Sequence, residues 1–362
     1  MGQEAQVSPL MVSSALGLSV VHNQKYRSEV IHRSAARSQC PLLRCQGVGM
    51  STRHRESVPT ISSPEEFVEA IPCLLGFHPS DSLVVVVVTR RSVSLTARCD
   101  IALSDRPEEY DRFVRTVTHD WQGSRLPQIQ VFVAGYSDRQ TASAAVRALQ
   151  ARLDAQVLGA VVVDHDRWWM IDDDIHGPGR LVLRDTGLSR RLTCGPVAAS
   201  RSDLAASIAA PMGQREDDML RALVDALDQV KEDDPVEAGL TVVALMSSWH
   251  DGTALSDRDY LTAAVAMSLD EARHEVWKVL SASKARQYLH FWKEVVSRTP
   301  QGIRTVVLAV TGMFAWIAGE GVLMNVCLEE AEQADSEYPL VRMLSRIARC
   351  GVPPSTWAQM KP

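Results

Sequence analysis

Leu83 is followed by five consecutive valines, Val84 to Val88. Valine is stiff at χ1 in a helix and packs well on a pleated surface, and an unbroken apolar run leaves a strand no wet face. Residues 83–88 therefore read as a strand buried on both sides. A chain with such a strand must supply a layer to cover each face.

The flanking residues supply those layers. Ser62 or Ser63 before Pro64-Glu65-Glu66 has the form of a helix start, with a hydroxyl cap, proline in the first turn and acids at the positive end of the dipole. Phe67, Ala70, Ile71 and Leu74 recur at helical spacing, Gly76 stops the helix and Pro79 prevents its resumption. After a turn at Arg90-Arg91-Ser92, alternating Val93, Leu95 and Ala97 predict a second strand extending toward Ile101 and Leu103. Residues 107–121 read as a helix, 129–134 as a buried strand, and Ser137-Asp138 as the cap of a helix running to Leu153. Residues 157–163 and 168–171 read as strands joined by Asp164-His165-Asp166. The order α-β-β-α-β-α-β-β predicts a mixed sheet with packed helices, an α/β domain over residues 58–197.

Beyond residue 197 the strand signals stop. Helices are expected near 200–210, 214–231, 237–249, 257–281, 284–298, 304–319, 321–334 and 338–350, forming an all-α domain over 198–357 with a tail at 358–362. Met219, Leu220, Leu223, Val224 and Leu227 are expected as a core stripe, and Trp277, Trp292 and Trp316 as core. The last three helices faintly resemble a tetratricopeptide-type hairpin, with Gly312, Ala315, Leu328 and Ala331 at its small and apolar positions.

The first 49 residues have a different composition. Lys25, Arg27, Arg33, Arg37 and Arg44 face only Glu4 and Glu29, and no apolar periodicity lasts two helical turns. Too little apolar surface is available there to offset chain entropy, so disorder is expected through about residue 57. The Arg/Ser bias fits a transit peptide, but Met50-Ser51-Thr52-Arg53 fits an alternative chain start better. On that reading residues 1–57 are disordered or a mis-assigned extension.

A net charge of −6 argues against a phosphate-tracking surface, so nucleic acid is not expected as a partner. Seven scattered cysteines, with no CxxC pair and no zinc-finger spacing, read as buried thiols in a reducing cytoplasm. The longest uncharged apolar stretch, residues 305–319, falls short of the roughly 18 residues a membrane helix needs, so a soluble protein is expected.

Sites are harder to find. Gly187-Leu188-Ser189-Arg190-Arg191 lacks the second glycine of a nucleophile elbow, and there is no P-loop, GxGxxG or HExxH. His250, His274 and His290 fall on predicted helices and are assigned no role. His78 and Asp81 allow two readings: a hydrogen-bonded pair lining a cleft, or a turn in which Asp81 accepts backbone N–H groups while His78 satisfies the carbonyls ending the helix. Ligand clefts in open α/β sheets sit at strand C-terminal ends, and this motif precedes its strand, so the turn is preferred.

Arg167-Trp168-Trp169 with Asp172-Asp173-Asp174 is the better site candidate. Adjacent tryptophans on a strand point to opposite faces, so one is expected exposed, where beside Arg167 it would form a stacking platform. Asp172, Asp174 and His176 supply ligands suited to a hard divalent cation, although the run lacks the spacing of a calcium loop and charge runs are usually solvated faces.

Several stretches together carry a family resemblance. They are Leu74-Leu75-Gly76-Phe77-His78-Pro79 with Asp81-Ser82-Leu83-Val84-Val85, then Arg167-Trp168-Trp169, then residues 289–292 with Arg298-Thr299-Pro300, Ala315-Trp316 with Gly319, and Gly351-Val352-Pro353-Pro354-Ser355-Thr356-Trp357. In these the chain resembles the actinobacterial and actinophage family of unknown function numbered four-one-nine-two, over roughly residues 59–357. The resemblance implies an actinobacterium or its phage as source and implies no reaction. Relatives commonly carry a cysteine- and proline-rich stretch after the Arg-Trp pattern. Here that place holds residues 172–179 without cysteine, so a thiolate metal site is not carried over.

Two functions are expected from these observations. The first is a cytoplasmic, non-catalytic interaction or accessory protein whose helical half offers a partner surface. The alternative is an enzyme or a ligand- or divalent-metal-binding module with its site between the domains, near residues 167–174. The sequence names no cofactor and leaves the oligomeric state open.

Overall fold

The computed structural model describes residues 19–21, 61, 63–89, 92–119, 129–174, 176–183 and 197–360. The expected disorder before residue 58 and the Met50 start lie outside these, apart from a short edge strand, β1 (Ser19–Val21).

Helix α1 (Pro64–Leu75) begins as the cap residues dictate, with Ser63 Oγ accepting the Glu66 N–H at 3.2 Å. It ends at Gly76, whose φ of 83° is the left-handed conformation that glycine adopts without a Cβ penalty. The valine run forms β2 (Ser82–Thr89), central in a sheet of order β1-β3-β2-β4-β5-β6-β7. Val84, Val86 and Val88 pack under α1, and Leu83, Val85 and Val87 face α2 (Pro107–Thr118) and α3 (Arg139–Gln150). Each buried valine side chain contributes roughly 1.5–3 kcal/mol relative to exposure.

Strand β3 (Ser92–Asp100) stops before the expected limit. Ile101 and Leu103 instead lie in a 3-10 helix, Ile101–Asp105, which buries both against α2 and α3. Two apolar residues two positions apart are too short a pattern to tell the end of a strand from a 3-10 turn. Strands β4 (Gln130–Tyr136) and β5 (Gln156–Asp164) are parallel and joined by α3, whereas β2 is antiparallel to β4. Gly135 allows α3 its close approach, since a Cβ there would lie 2.8 Å from Val146. Strand β6 (Arg167–Met170) forms the expected hairpin with β5. Strand β7 (Arg180–Leu181) was not anticipated, two residues being too short to show periodicity.

The second half contains α4 (Arg201–Ala206), α5 (Gln214–Glu232), α6 (Pro235–His250), α7 (Asp257–Ala266), α8 (Asp270–Val279), α9 (Ala282–Arg298), α10 (Gln301–Ala318), α11 (Gly321–Asp335), α12 (Pro339–Cys350) and the short α13 (Trp357–Met360). The single helix expected over 257–281 is two, broken by a tight turn at 267–269 that lets α7 pack on α5 and α8 on α6. On α5 the buried stripe is Met219, Leu223, Ala226 and Val230, while Leu220 and Val224 are 44% and 57% exposed. Successive helical residues are about 100° apart, so Leu220 and Val224 lie beside the core face and not on it.

Helix α10 is long and apolar enough to span a membrane, yet 78% of that window is buried, chiefly against α9 and α11. That is the pattern of a core helix. Trp292 and Trp316 are buried as expected, and Trp277 packs at the core margin. The halves meet through α11, whose Val322 is buried in the same cluster as α1 and the valine strand, while an Arg201–Glu329 ion pair of 2.5 Å ties α4 to α11 within the helical half.

Candidate functional site

Because β2 is antiparallel to β4, the start of β2 lies beside the ends of β4 and β5. Ser82 pairs with Tyr136, and Tyr136 with Val163. The His78–Asp81 turn thus occupies the edge where the parallel strands deliver their C-terminal residues. This corrects the expectation that it sits at the opposite end of the sheet. Chain order alone does not give strand direction relative to neighbours.

A cavity of about 720 Å³ opens at this edge, lined by α1, the 78–81 turn, residues 136–138 and 163–165, and residues 182–183, 197 and 199. Asp81 has a left-handed φ of 43°, a conformation unusual outside glycine, and its Oδ1 accepts the Ser137 hydroxyl at 2.8 Å. Asp81 thus takes a turn conformation while its carboxylate is engaged by the residue that follows β4. His78 lines the same cavity, and its backbone N–H donates to Ala198 O at 3.0 Å, pinning the inter-domain segment as a wall.

Asp138 caps α3 by accepting the N–H groups of Gln140 and Thr141. The Thr141 hydroxyl and backbone N–H hold its carboxyl below the usual carboxylate range. At the end of β5, Asp164 Oδ1 lies 2.6 Å from His165 Nδ1, and Arg139 Nε lies 3.6 Å from Asp164 Oδ2. His165 has a left-handed φ of 56°. Tyr136 lines the wall while 8% exposed, and its hydroxyl has no hydrogen-bond partner among the described residues. Burial pushes its pKa up, so it stays protonated. Glu69 from α1 completes the acidic lining.

The downstream candidate fares differently. Trp168 and Trp169 are 1% and 4% exposed, so neither offers the open stacking face expected. They do point to opposite sides, but both sides are covered. Trp168 enters the α1-side core, while the Trp169 indole donates to Gly177 O at 3.1 Å and lies beneath Arg139. Arg167 donates to Pro178 O at 2.6 Å, locking the loop back on the hairpin, away from the cavity lining. Asp172, Asp174 and His176 are exposed, and Asp174 accepts the His176 backbone N–H at 3.0 Å. Asp173 pairs with Arg180 at 3.6 Å. Among the described residues no group of three or more His, Cys, Asp or Glu side chains is arranged to hold a metal ion.

Sequence reasoning missed Ser137, Asp138, Asp164, His165, Tyr136 and Glu69 as one site. The first four had been placed at strand ends on either side of a helix, and a β-α-β unit is where strand-end residues converge on a ligand. The expected buried thiols hold for Cys99 and Cys327, whereas Cys350 is free but exposed, and Cys73, on the cavity wall, is disulfide-bonded to a partner outside the described residues.

The class defined by this architecture is a mixed α/β domain with a strand-end cavity, followed by a helical domain. The chain belongs to the family described as Domain of unknown function (DUF4192), whose model matches residues 64–355. No curated protein and no solved structure matches it.

Proposed function

We propose that this protein binds a small ligand at the strand-end cavity and that the α/β half is its binding module. The observation carrying this reading is convergence. The 78–81 turn, the ends of β4 and β5 and the capped start of α3 all face one cavity of about 720 Å³. That volume falls in the range of roughly 300–1,000 Å³ common to small-molecule sites. The reading moves the binding role away from Arg167, Trp168 and Trp169, whose side chains are engaged by the hairpin's own packing.

The test is thermal-shift screening of the full chain against metabolite classes, with Ala199→Trp as a blocked control. Ala199 is exposed on the cavity rim, so an indole there obstructs entry without entering the core. A ligand that raises the melting temperature of the native chain and not of Ala199→Trp supports the reading. A shift equal in both proteins overturns it.

A second reading, a protein-partner surface on the helical half, is favoured by the exposed apolar pairs Leu220 and Val224 on α5 and Val236 and Leu240 on α6. The tetratricopeptide-like positions Gly312, Ala315, Leu328 and Ala331 all lie in the packed region of α10 and α11, in keeping with such a scaffold. Under this reading Leu220→Asp with Leu240→Asp abolishes association seen by sedimentation, without changing the melting temperature. A cytoplasmic protein of an actinobacterium or its phage is our inference from the family resemblance and the three free cysteines. The disulfide at Cys73 is the observation that pulls the other way.

A further inference from the structure

We infer that the strand-end cavity selects a small cationic ligand, an organic amine or quaternary ammonium, over anions and neutral molecules. This rests on the reading above that the cavity takes a ligand. Its lining holds four carboxylates, from Glu69, Asp81, Asp138 and Asp164, together with His78 and His165, and among the described residues no lysine or arginine. Arg139, which reaches Asp164 from outside the lining, offsets part of that charge. Among the described residues a surplus of negative charge remains.

The carboxylates are held in place by the fold. Asp138 is fixed by α3, Asp81 by Ser137, and Asp164 by His165 and Arg139. Fixed acceptors around a concave, partly dry space favour a cation without reorganisation, and attraction between unit charges a few ångströms apart is several-fold stronger there than in water. An anion would meet the same groups as repulsion.

A second feature points to a ligand independently of charge. Tyr136 lines the cavity and carries a buried hydroxyl without a hydrogen-bond partner among the described residues. An orphan hydroxyl is costly to bury, and a polar group on a bound molecule would satisfy it. An amine N–H donates to its oxygen. For a quaternary ammonium, the ring face supplies cation–π attraction.

The experiment is calorimetric titration of the full chain with putrescine, agmatine and choline, alongside 1,4-butanediol, AMP and inorganic phosphate. At least one cation is expected to bind, more tightly than butanediol, AMP or phosphate. Asp81→Asn and Asp164→Asn should each weaken it about tenfold. Asp164 lies on the rim, so that variant keeps the test open should Asp81→Asn fail to fold. Tyr136→Phe should weaken an amine several-fold while leaving the melting temperature of the unliganded chain unchanged or slightly higher. Binding of AMP, phosphate or butanediol in preference, blocked by Ala199→Trp, overturns the charge selectivity and leaves the binding module standing. No binding by any of the three cations overturns the inference. A cation whose affinity ignores both Asp164→Asn and Ala199→Trp overturns it together with the cavity reading.

Discussion

At the scale of single residues, the turn chemistry of Ser63, Gly76, Pro79 and Asp138 was legible because each acts on its own backbone neighbours. Asp138 gives a pH prediction. Its folded pKa is held below the unfolded value, so its contribution is fully present above the unfolded carboxylate pKa and is lost as pH falls through the folded one. Asp138→Ala should lower the melting temperature at neutral pH, and the gap from the native chain should close well below about pH 4. Asp138→Asn keeps the cap acceptor and should stay near native throughout. Thermal melts across pH 2.5–7 (about that range suffices for a carboxylate) check both, and a gap independent of pH would refute the electrostatic part. What the sequence did not reveal at this scale was partnership across the fold. Ser137 and Asp81 are 56 positions apart and meet only because β2 and β4 are antiparallel neighbours.

At the scale of elements, the type and order of the sheet and its helices were readable from apolar periodicity, since a buried strand and an amphipathic helix repeat at different intervals. The tryptophan hairpin shows where that stops. Alternation correctly sends Trp168 and Trp169 to opposite faces, but it cannot say that the loop after Met170 folds back over the second face. Gly179 makes that return possible. It has a φ of 63°, and a Cβ would lie 2.4 Å from the Trp169 ring. Gly179→Ala should therefore cost about 2–4 kcal/mol, adding left-handed strain to overpacking. By contrast Asp172→Asn with Asp174→Asn, on the exposed turn, should change stability by less than about 0.5 kcal/mol. Denaturant melts of the two variants separate a packed hairpin from a functional acidic loop.

At the scale of the whole molecule, the sheet-then-helices division was evident from where strand signals end. How the helical half closes on itself was not. Arg304 is buried and binds Glu330 at 2.5 Å, Val296 O, Thr299 O and Ile208 O, tying α9, α10, α11 and the segment after α4. A lone arginine in an apolar helix gives no sign of four partners, one of them 96 positions away. Arg304→Met should destabilise by about 3 kcal/mol, the low end for breaking a buried pair, because Glu330 keeps 35% of its side chain exposed. Chemical denaturation checks it, and a loss under about 1 kcal/mol would show that Arg304 is not a structural hub.

The central claim is that the motif before the valine strand and the ends of β4 and β5 form one ligand site. Hydrogen–deuterium exchange of the full chain, with and without the compound giving the largest thermal shift, addresses it directly. Protection is predicted at residues 76–81, 136–141 and 163–166 together. Protection confined to residues 167–177, or to α5 and α6, would contradict the account.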